Sequence, residues 1–218
     1  MVSILILKDI ELKGLQMNVN AFKVGQLELA YCRATNNKAF SNERAIEVSL
    51  GEWFLHKFGF DAVEIGSVML NYGWDMHIMV DLSDQHPKVH RYNALDLHYT
   101  KFNVLSISTV EHMMKREYDN GSDQDSITFI NKVVNEASNY LITFPCRYNE
   151  FLDEFIQNSD IPRVLLKRVS KENEWIQDFD VKNMDYPFGH FDGRQPDGFF
   201  NNANAIIILT NLPEILNE

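Results

Sequence analysis

The residues able to do chemistry in this chain gather where short apolar runs end. Glu64-Ile65-Gly66-Ser67 closes the run from Ala62 to Ile65, and Asp81-Leu82 follows His77 to Val80. Tyr92-Asn93-Ala94-Leu95-Asp96-Leu97 closes a weaker run from Lys88 to Asn93, and Ser108-Thr109-Val110-Glu111-His112 follows Val104 to Ile107. Cys146-Arg147-Tyr148 comes just after Tyr140 to Phe144. Gly66 has no Cβ, so the backbone there can turn tightly and approach a ligand. Asp81 can accept two hydrogen bonds from a diol, and bonds to a charged acceptor are typically worth about 1.5–3 kcal/mol. His112 is a candidate base for an acceptor hydroxyl, a role typically worth about 10²–10⁴ in rate. Arg147 suits a carboxylate or phosphate because its planar fork binds bidentately, and Tyr148 beside it is a second candidate to hold an acceptor. His190, Asp192 and Arg194 lie in a long Gly/Pro-punctuated segment, Val181 to Phe200, which reads either as a lid over an acceptor or as a surface excursion. His190 with Asp192 is too sparse for a metal site, and no metal is expected.

The elements that must position these residues follow from periodicity. Asn42 to Lys57 reads as a helix with Ser41 as its N-cap, Ile46, Leu50, Trp53 and Phe54 as its buried stripe, and Gly59 as its stop. Ser126 to Ala137 reads as a second helix on Ile127, Ile130, Val133, Val134 and Ala137, and a short amphipathic helix carries Phe151, Leu152, Phe155 and Ile156. Tyr140 to Phe144, stopped by Pro145, Val164 to Val169 and Ala205 to Leu209 read as further strands. Strands that are apolar on both faces and alternate with helices predict an α/β fold, a mostly parallel sheet flanked by helices. Such a sheet binds its ligand outside the carboxyl ends of its strands, where the strand order reverses. Alternating stretches between Val2 and Arg33 (Ile4, Ile6; Leu27, Leu29, Tyr31) predict two or three strands. Residues 1–35 are therefore expected to form a small β-appendage, and residues 36–218 the main domain.

Composition bounds the function. The 218 residues are 45% hydrophobic and 23% charged, which excludes wholesale disorder. Twenty Lys and Arg against thirty-one Asp and Glu leave a net charge of −11, which argues against phosphate-neutralising nucleic-acid binding. Cys32 and Cys146 are isolated thiols with no metal-ligand spacing, consistent with a cytoplasmic, reducing setting. Val2 to Leu7 is cut short by Lys8, Asp9 and Glu11, too soon for a secretory leader, and no run approaches a membrane span.

In succession, these strand ends resemble the class I S-adenosylmethionine-dependent methyltransferases. Their pattern is Glu/Asp-x-Gly at the first strand, an acid ending the second, Asp-Ala-x-Asp-Leu after the third, and a Phe-Asp-hydrophobic run ending near Glu-His after the fourth. Asn42-Glu43-Arg44-Ala45-Ile46-Glu47 is also similar to a subgroup of that family, and the resemblance covers roughly Asn42 to Tyr148. It implies a Rossmann-like domain with S-adenosylmethionine as cofactor. Glu64 would order the glycine loop or meet the methionyl amine, with Gly66 and Ser67 in that loop. Asp81 and Leu82 would sit at the ribose, Asn93 and Ala94 at the adenine edge, and Ser108 and Thr109 beside the sulfonium. Glu111 and His112 are then the expected catalytic residues, and Arg147, Tyr148 and His190 the acceptor-binding ones. The acceptor implied is a small molecule or glycan. The N-terminal strands are available as an acceptor lid or as the contact of a homo-oligomer.

Glu111-His112 also resembles the end of the metal-binding Glu-x-x-Glu-His of ubiquinone-pathway and small-RNA methyltransferases. Ser108 stands where that motif has its first carboxylate. Two further departures bear on cofactor binding. Val68 occupies a loop position that commonly holds glycine and disfavours positive φ. Only Leu82 to Pro87 separates the second and third strands, where a parallel crossover usually needs about a dozen residues, so either the helix is absent or the third strand is misassigned. The alternative is therefore a non-catalytic relative that keeps the fold as a binding or scaffold module, recognisable by a pocket filled with Met69 or Tyr72. A nicotinamide or nucleotide-sugar protein using Asp81 ranks below both, because no GxGxxG turn offers a helix N-terminus to a pyrophosphate.

Overall fold

The computed structural model describes residues 21–113, 121–122, 124–180, 186 and 203–217. Its first elements are the antiparallel strands β1 (Ala21–Val24) and β2 (Leu27–Ala30), joined by a tight turn at Gly25 and Gln26. The alternation at Leu27 and Leu29 follows the strand period; the stretch containing Ile4 and Ile6 lies outside the described residues. Phe22 and Val24 are buried in the same apolar cluster as Ile46, Leu50 and Phe54 of helix α1 (Arg44–Phe58), so the hairpin is packed on the main body.

Ser41 does not cap α1. It closes a 3-10 turn, Asn36–Ser41, and its hydroxyl donates to Lys38 O. Asn42 is the extended residue before the helix, and its Oδ1 accepts the Arg44 N–H at 3.1 Å. The preceding turn uses up Ser41, and the next side chain able to accept takes over the cap.

Among the described residues eight strands then form one sheet: β3 (Ala62–Ile65), β4 (Ile78–Val80), β5 (Val89–His90), β6 (Asn103–Ile107), β7 (Asn139–Pro145), β8 (Arg163–Arg168), β9 (Trp175–Asp178) and β10 (Ala205–Thr210). Their order is β5-β4-β3-β6-β7-β10-β8-β9. Pairing is parallel from β5 through β7 and antiparallel from β7 to β9. The expected α/β architecture is therefore present, and β10 enters between β7 and β8 against their direction. Its residues alternate faces: Ile206 and Ile208 pack toward α1, whereas Ala205, Ile207 and Leu209 pack toward helices α2 (Asp125–Glu136) and α3 (Glu150–Gln157). Burial on both faces explains why these strands are uniformly apolar.

The connections on the β3–β5 side are thin. Between β3 and β4 there is a 3-10 turn, Met69–Tyr72, and between β4 and β5 no helix at all. The crossover helix is thus absent, and the third strand is genuine but only two residues long. Pro145 is the last residue of β7, paired with Ile206, so the strand runs one position past the expected stop. The final helix, α4 (Pro213–Leu216), packs Ile215 and Leu212 into the α1 side of the core. Among the described residues no helix is long and apolar enough to cross a membrane.

Gly25 locks the hairpin to this last helix. Its φ is +54°, and a Cβ there would lie 2.4 Å from Ile215 O and 2.6 Å from Glu214 O. Gln26 N–H also donates to Glu214 O at 2.8 Å. Gly25→Ala is expected to destabilise the fold by about 2–4 kcal/mol, because the strained dihedral and the backbone collision add. Urea unfolding checks this; an unchanged midpoint would mean that the hairpin does not bear on α4 in solution.

Candidate active site

The strand order reverses between β3 and β6, so their carboxyl ends diverge and leave a crevice. A cavity of about 400 Å³ opens there. Its walls are Ile65 and Gly66 from β3, Val80, Asp81 and Leu82 from β4, and Tyr92, Asn93, Ala94 and Leu95 after β5. Thr109 and Met113 after β6, with Gly121 and Asp125 before and at the start of α2, complete it. Gly66 has φ +84°, and a Cβ on it would fall 2.0 Å from Thr109 Oγ1. Only a glycine lets the β3 and β6 ends close to this distance, which defines the floor of the crevice.

Of the residues singled out from sequence, Gly66, Asp81, Leu82, Asn93 and Ala94 converge on this cavity. Asp81 Oδ1 accepts the Ser83 and Asp84 N–H groups and the Ser83 hydroxyl, a local turn that engages one oxygen of the carboxylate. Asn93 Oδ1 accepts the Leu95 N–H at 3.0 Å and so caps the 3-10 turn Ala94–Asp96. Its amide nitrogen is then the group with donors to offer. Neither Met69 nor Tyr72 is among the lining residues.

Glu64 is placed behind the cavity rather than in its wall. It is fully buried, accepts the Met69 N–H at 2.8 Å, and bonds His77 Nε2 at 2.8 Å. Burial pushes its carboxyl up, opposed by the bonds to His77 and Met69. Ser67 hydrogen-bonds the Asp84 carboxylate, tying the loop after β3 to the loop after β4. Val68 takes φ −65°, because the loop turns at once into a right-handed 3-10 helix and asks for no positive φ.

Ser108 points away from the cavity, to the start of α1. It has φ +37° and donates to both Glu47 oxygens, at 2.8 and 3.0 Å. Glu47 also accepts the Thr143 hydroxyl at 2.8 Å and Arg44 Nη1 at 3.0 Å. Glu43, one turn earlier, accepts the Ala203 N–H at 3.0 Å. Glu111 sits in the 3-10 turn Val110–His112, 1% exposed, with its Oε2 lacking any hydrogen-bond partner among the described residues. His112 Nδ1 meets the Tyr148 hydroxyl at 3.1 Å, their rings edge to face at 4.8 Å. Arg147 is exposed at φ +66°, with its N–H on Asp153. His190 lies outside the described residues, as does most of the expected lid.

Outside the cavity's lining, Glu43, Arg44, Glu47, Ser108, Glu111, His112 and Tyr148 form a polar cluster between the start of α1 and the ends of β6 and β7, referred to below as the rim. Thr109, which the sequence placed on this wall, does line the cavity, whereas sequence reasoning missed Met113 and Asp125 as cavity walls and the carboxylates of α1 as members of the rim. A Glu pair in a first helical turn reads as dipole-stabilising surface, so only burial reveals it. Among the described residues no group of His, Cys, Asp or Glu is arranged to hold a metal ion.

The rim carries more carboxylate than cation. Burial, reinforced by neighbouring Glu47, raises Glu43 to about 7. Burial also raises Glu111 to about 8, with Glu47 adding to it. Burial alone would lower the Arg44 pKa, but Glu47, Glu43 and Glu111 outweigh that and keep the guanidinium charged. Carboxyls held above their unfolded values bind protons that the unfolded chain has released. Their contribution is therefore complete below about pH 4.5 and is lost as pH rises through 7 and 8. Stability should fall between pH 5 and pH 9 by roughly 2–5 kcal/mol, and Glu111→Gln should flatten this slope and unfold later than the parent at pH 9. Denaturant melts at three pH values test this, and a parent profile that rises with pH would refute it.

No family model matches the chain, and no curated protein matches it. Solved structures that overlap it include the magnesium protoporphyrin IX methyltransferase of Synechocystis PCC 6803 with bound S-adenosylmethionine. That overlap has 7% identity, covers 75% of this chain and 77% of the other, and has a TM-score of 0.37. The glycopeptide N-methyltransferase MtfA, complexed with the same compound, overlaps at 10% identity, 84% and 100% coverage, and a TM-score of 0.34. Overlaps this loose bear on neither activity nor substrate.

Proposed function

We propose that the chain is an S-adenosylmethionine-dependent methyltransferase acting on a small-molecule or glycan-like acceptor. What carries the reading is the convergence of Gly66, Asp81, Asn93 and Ala94 on one cavity at the reversal of strand order. About 400 Å³ lies within the usual range for small-molecule sites. The donor set fits an adenosyl group: Asp81 Oδ2 for the ribose diol, Ala94, Leu82 and Leu95 against the flat faces of the base, and the Asn93 amide at its edge. Gly66 leaves room for the chain of the cofactor to pass the β3 end.

The bound sulfonium would supply an activated methyl group. The residues of this chain then have two tasks, alignment and proton removal. Thr109 and Met113 bound the cavity on either side of Glu111 and His112, so an acceptor at the rim meets the methyl-bearing end of the cavity. Orientation of this kind can supply up to about 7–11 kcal/mol of barrier reduction. His112, fixed by the Tyr148 hydroxyl, is the half-buried base of the pair, and Arg147 stands exposed for an anionic group on the acceptor.

A non-catalytic reading has one specific support: Asp81 and Asn93 each commit an oxygen to their own turns, as they would with no ligand to bind. Calorimetric titration separates the two. S-adenosylmethionine and its demethylated product should both bind the parent protein. Asp81→Asn keeps the turn acceptor but loses the charge, and should bind about tenfold or more weakly. No heat with either compound at high concentration would favour the scaffold.

A further inference from the structure

Asn93 lines the cavity from a turn that is held from behind. Its main-chain oxygen accepts the Asp96 N–H at 3.0 Å, Ala94 O accepts the Tyr99 hydroxyl at 2.7 Å, and Leu95 O accepts the Lys132 ammonium at 2.8 Å. The side chain is fixed at one end, because Oδ1 takes the Leu95 N–H at 3.0 Å. That bond also decides which end of the amide is which: a main-chain N–H can only donate, so the oxygen must face it. The two Nδ2 hydrogens are left over, and no acceptor among the described residues takes them. Leu82 and Tyr92, which line the cavity with Asn93, are 51% and 59% exposed, so water reaches this part of its mouth.

We propose that Asn93 recognises the base of the bound nucleoside by donation alone, so that the site takes a 6-oxo purine as readily as a 6-amino one. The proposal rests on the methyltransferase reading, which sets the base beside Asn93, and it names what the site recognises of that base. Two donors cannot pair, so the Asn93 amide N–H finds nothing to bond in an amine at C6. It pairs instead with the ring nitrogen N1, whose lone pair is free in adenine. In a 6-oxo purine N1 carries a hydrogen, and the oxygen on the neighbouring carbon becomes the acceptor. Exchanging amine for oxygen therefore moves the acceptor by one atom rather than removing it. The amine of adenine stays hydrated at the open mouth, so its loss costs the complex little. A site rejects an analogue strongly where a buried group is left unpaired, and neither form of the base leaves one here. Asn93→Asp should behave in the opposite way. One carboxylate oxygen would keep the Leu95 N–H, while the other would accept from the amine and repel an oxygen at C6.

The probes are S-adenosylhomocysteine and its deaminated counterpart, S-inosylhomocysteine, each titrated calorimetrically into the full chain. In the parent the two dissociation constants should agree within about threefold, or favour the inosyl compound. Asn93→Asp keeps an acceptor for the turn and should melt with the parent. It should prefer the adenosyl compound by about tenfold or more, the worth of one hydrogen bond to a charged acceptor. A parent that binds the adenosyl compound more than about threefold tighter would mean that Oδ1 accepts from the amine, and would overturn the proposal. An unchanged ratio in Asn93→Asp would overturn it as well. The parent ratio needs no variant, so the test stands even if Asn93→Asp fails to fold. Either adverse result leaves the methyltransferase reading in place. A parent that binds neither compound removes that reading, and the recognition of the base falls with it.

Discussion

Enclosing a carboxyl group in protein is unfavourable unless donors are built around it, and the described residues enclose five of them, Glu43, Glu47, Glu64, Glu111 and Asp153, near the carboxyl ends of the parallel strands. The donors for Glu47 come from three separate elements: Arg44 on its own helix, Ser108 beyond β6 and Thr143 within β7. Removing any one leaves a buried charge short of a partner, so the start of α1 is held over the ends of β6 and β7 by polar contacts as much as by packing. Glu64 acts in the same way at the neighbouring strand, fixing the turn after β3 through the Met69 N–H and the loop before β4 through His77. The crevice between β3 and β6 keeps its shape because both banks are anchored to carboxylates beneath them.

Backbone conformation at the rim agrees with this. Ser108 and Arg147, each just past the end of adjacent parallel strands, adopt positive φ without being glycine. Such residues cost of order 1–3 kcal/mol and persist where surrounding contacts over-determine them. For Ser108 those contacts are the two bonds to Glu47 and the main-chain bond from its N–H to Thr143 O. For Arg147 the N–H is held by Asp153, which burial itself raises to about 6. Constrained backbone and buried polar groups thus coincide at the ends of β6 and β7.

Much of this was legible in the amino-acid order, and the illegible features have identifiable causes. Strands β6, β7 and β10 declare themselves because residues buried on both faces must be apolar throughout. Strand β9 does not. Trp175-Ile176-Gln177-Asp178 lies at the sheet edge with only Trp175 fully buried, so half its residues are free to be polar. Gly66, Asp81 and Asn93 could be found because a parallel sheet sends its loops to one rim, whereas Met113 and Asp125 reach the cavity through the path the chain takes into α2, which no local pattern encodes. Glu47 was the least visible. Its hydroxyl partners lie 61 and 96 residues away, and without them an acidic residue in a first helical turn looks like ordinary surface.

Strand β10 has a consequence for how the molecule is made. It pairs with β7 on one side and β8 on the other, yet it follows both in the chain. Until it emerges from the ribosome, the inner edges of β7 and β8 expose unpaired amides and carbonyls flanked by bare Leu and Ile side chains, the template for adhesion between nascent copies. Synthesis therefore leaves a window in which those two edges are open to such adhesion, and β10 closes it by pairing with both.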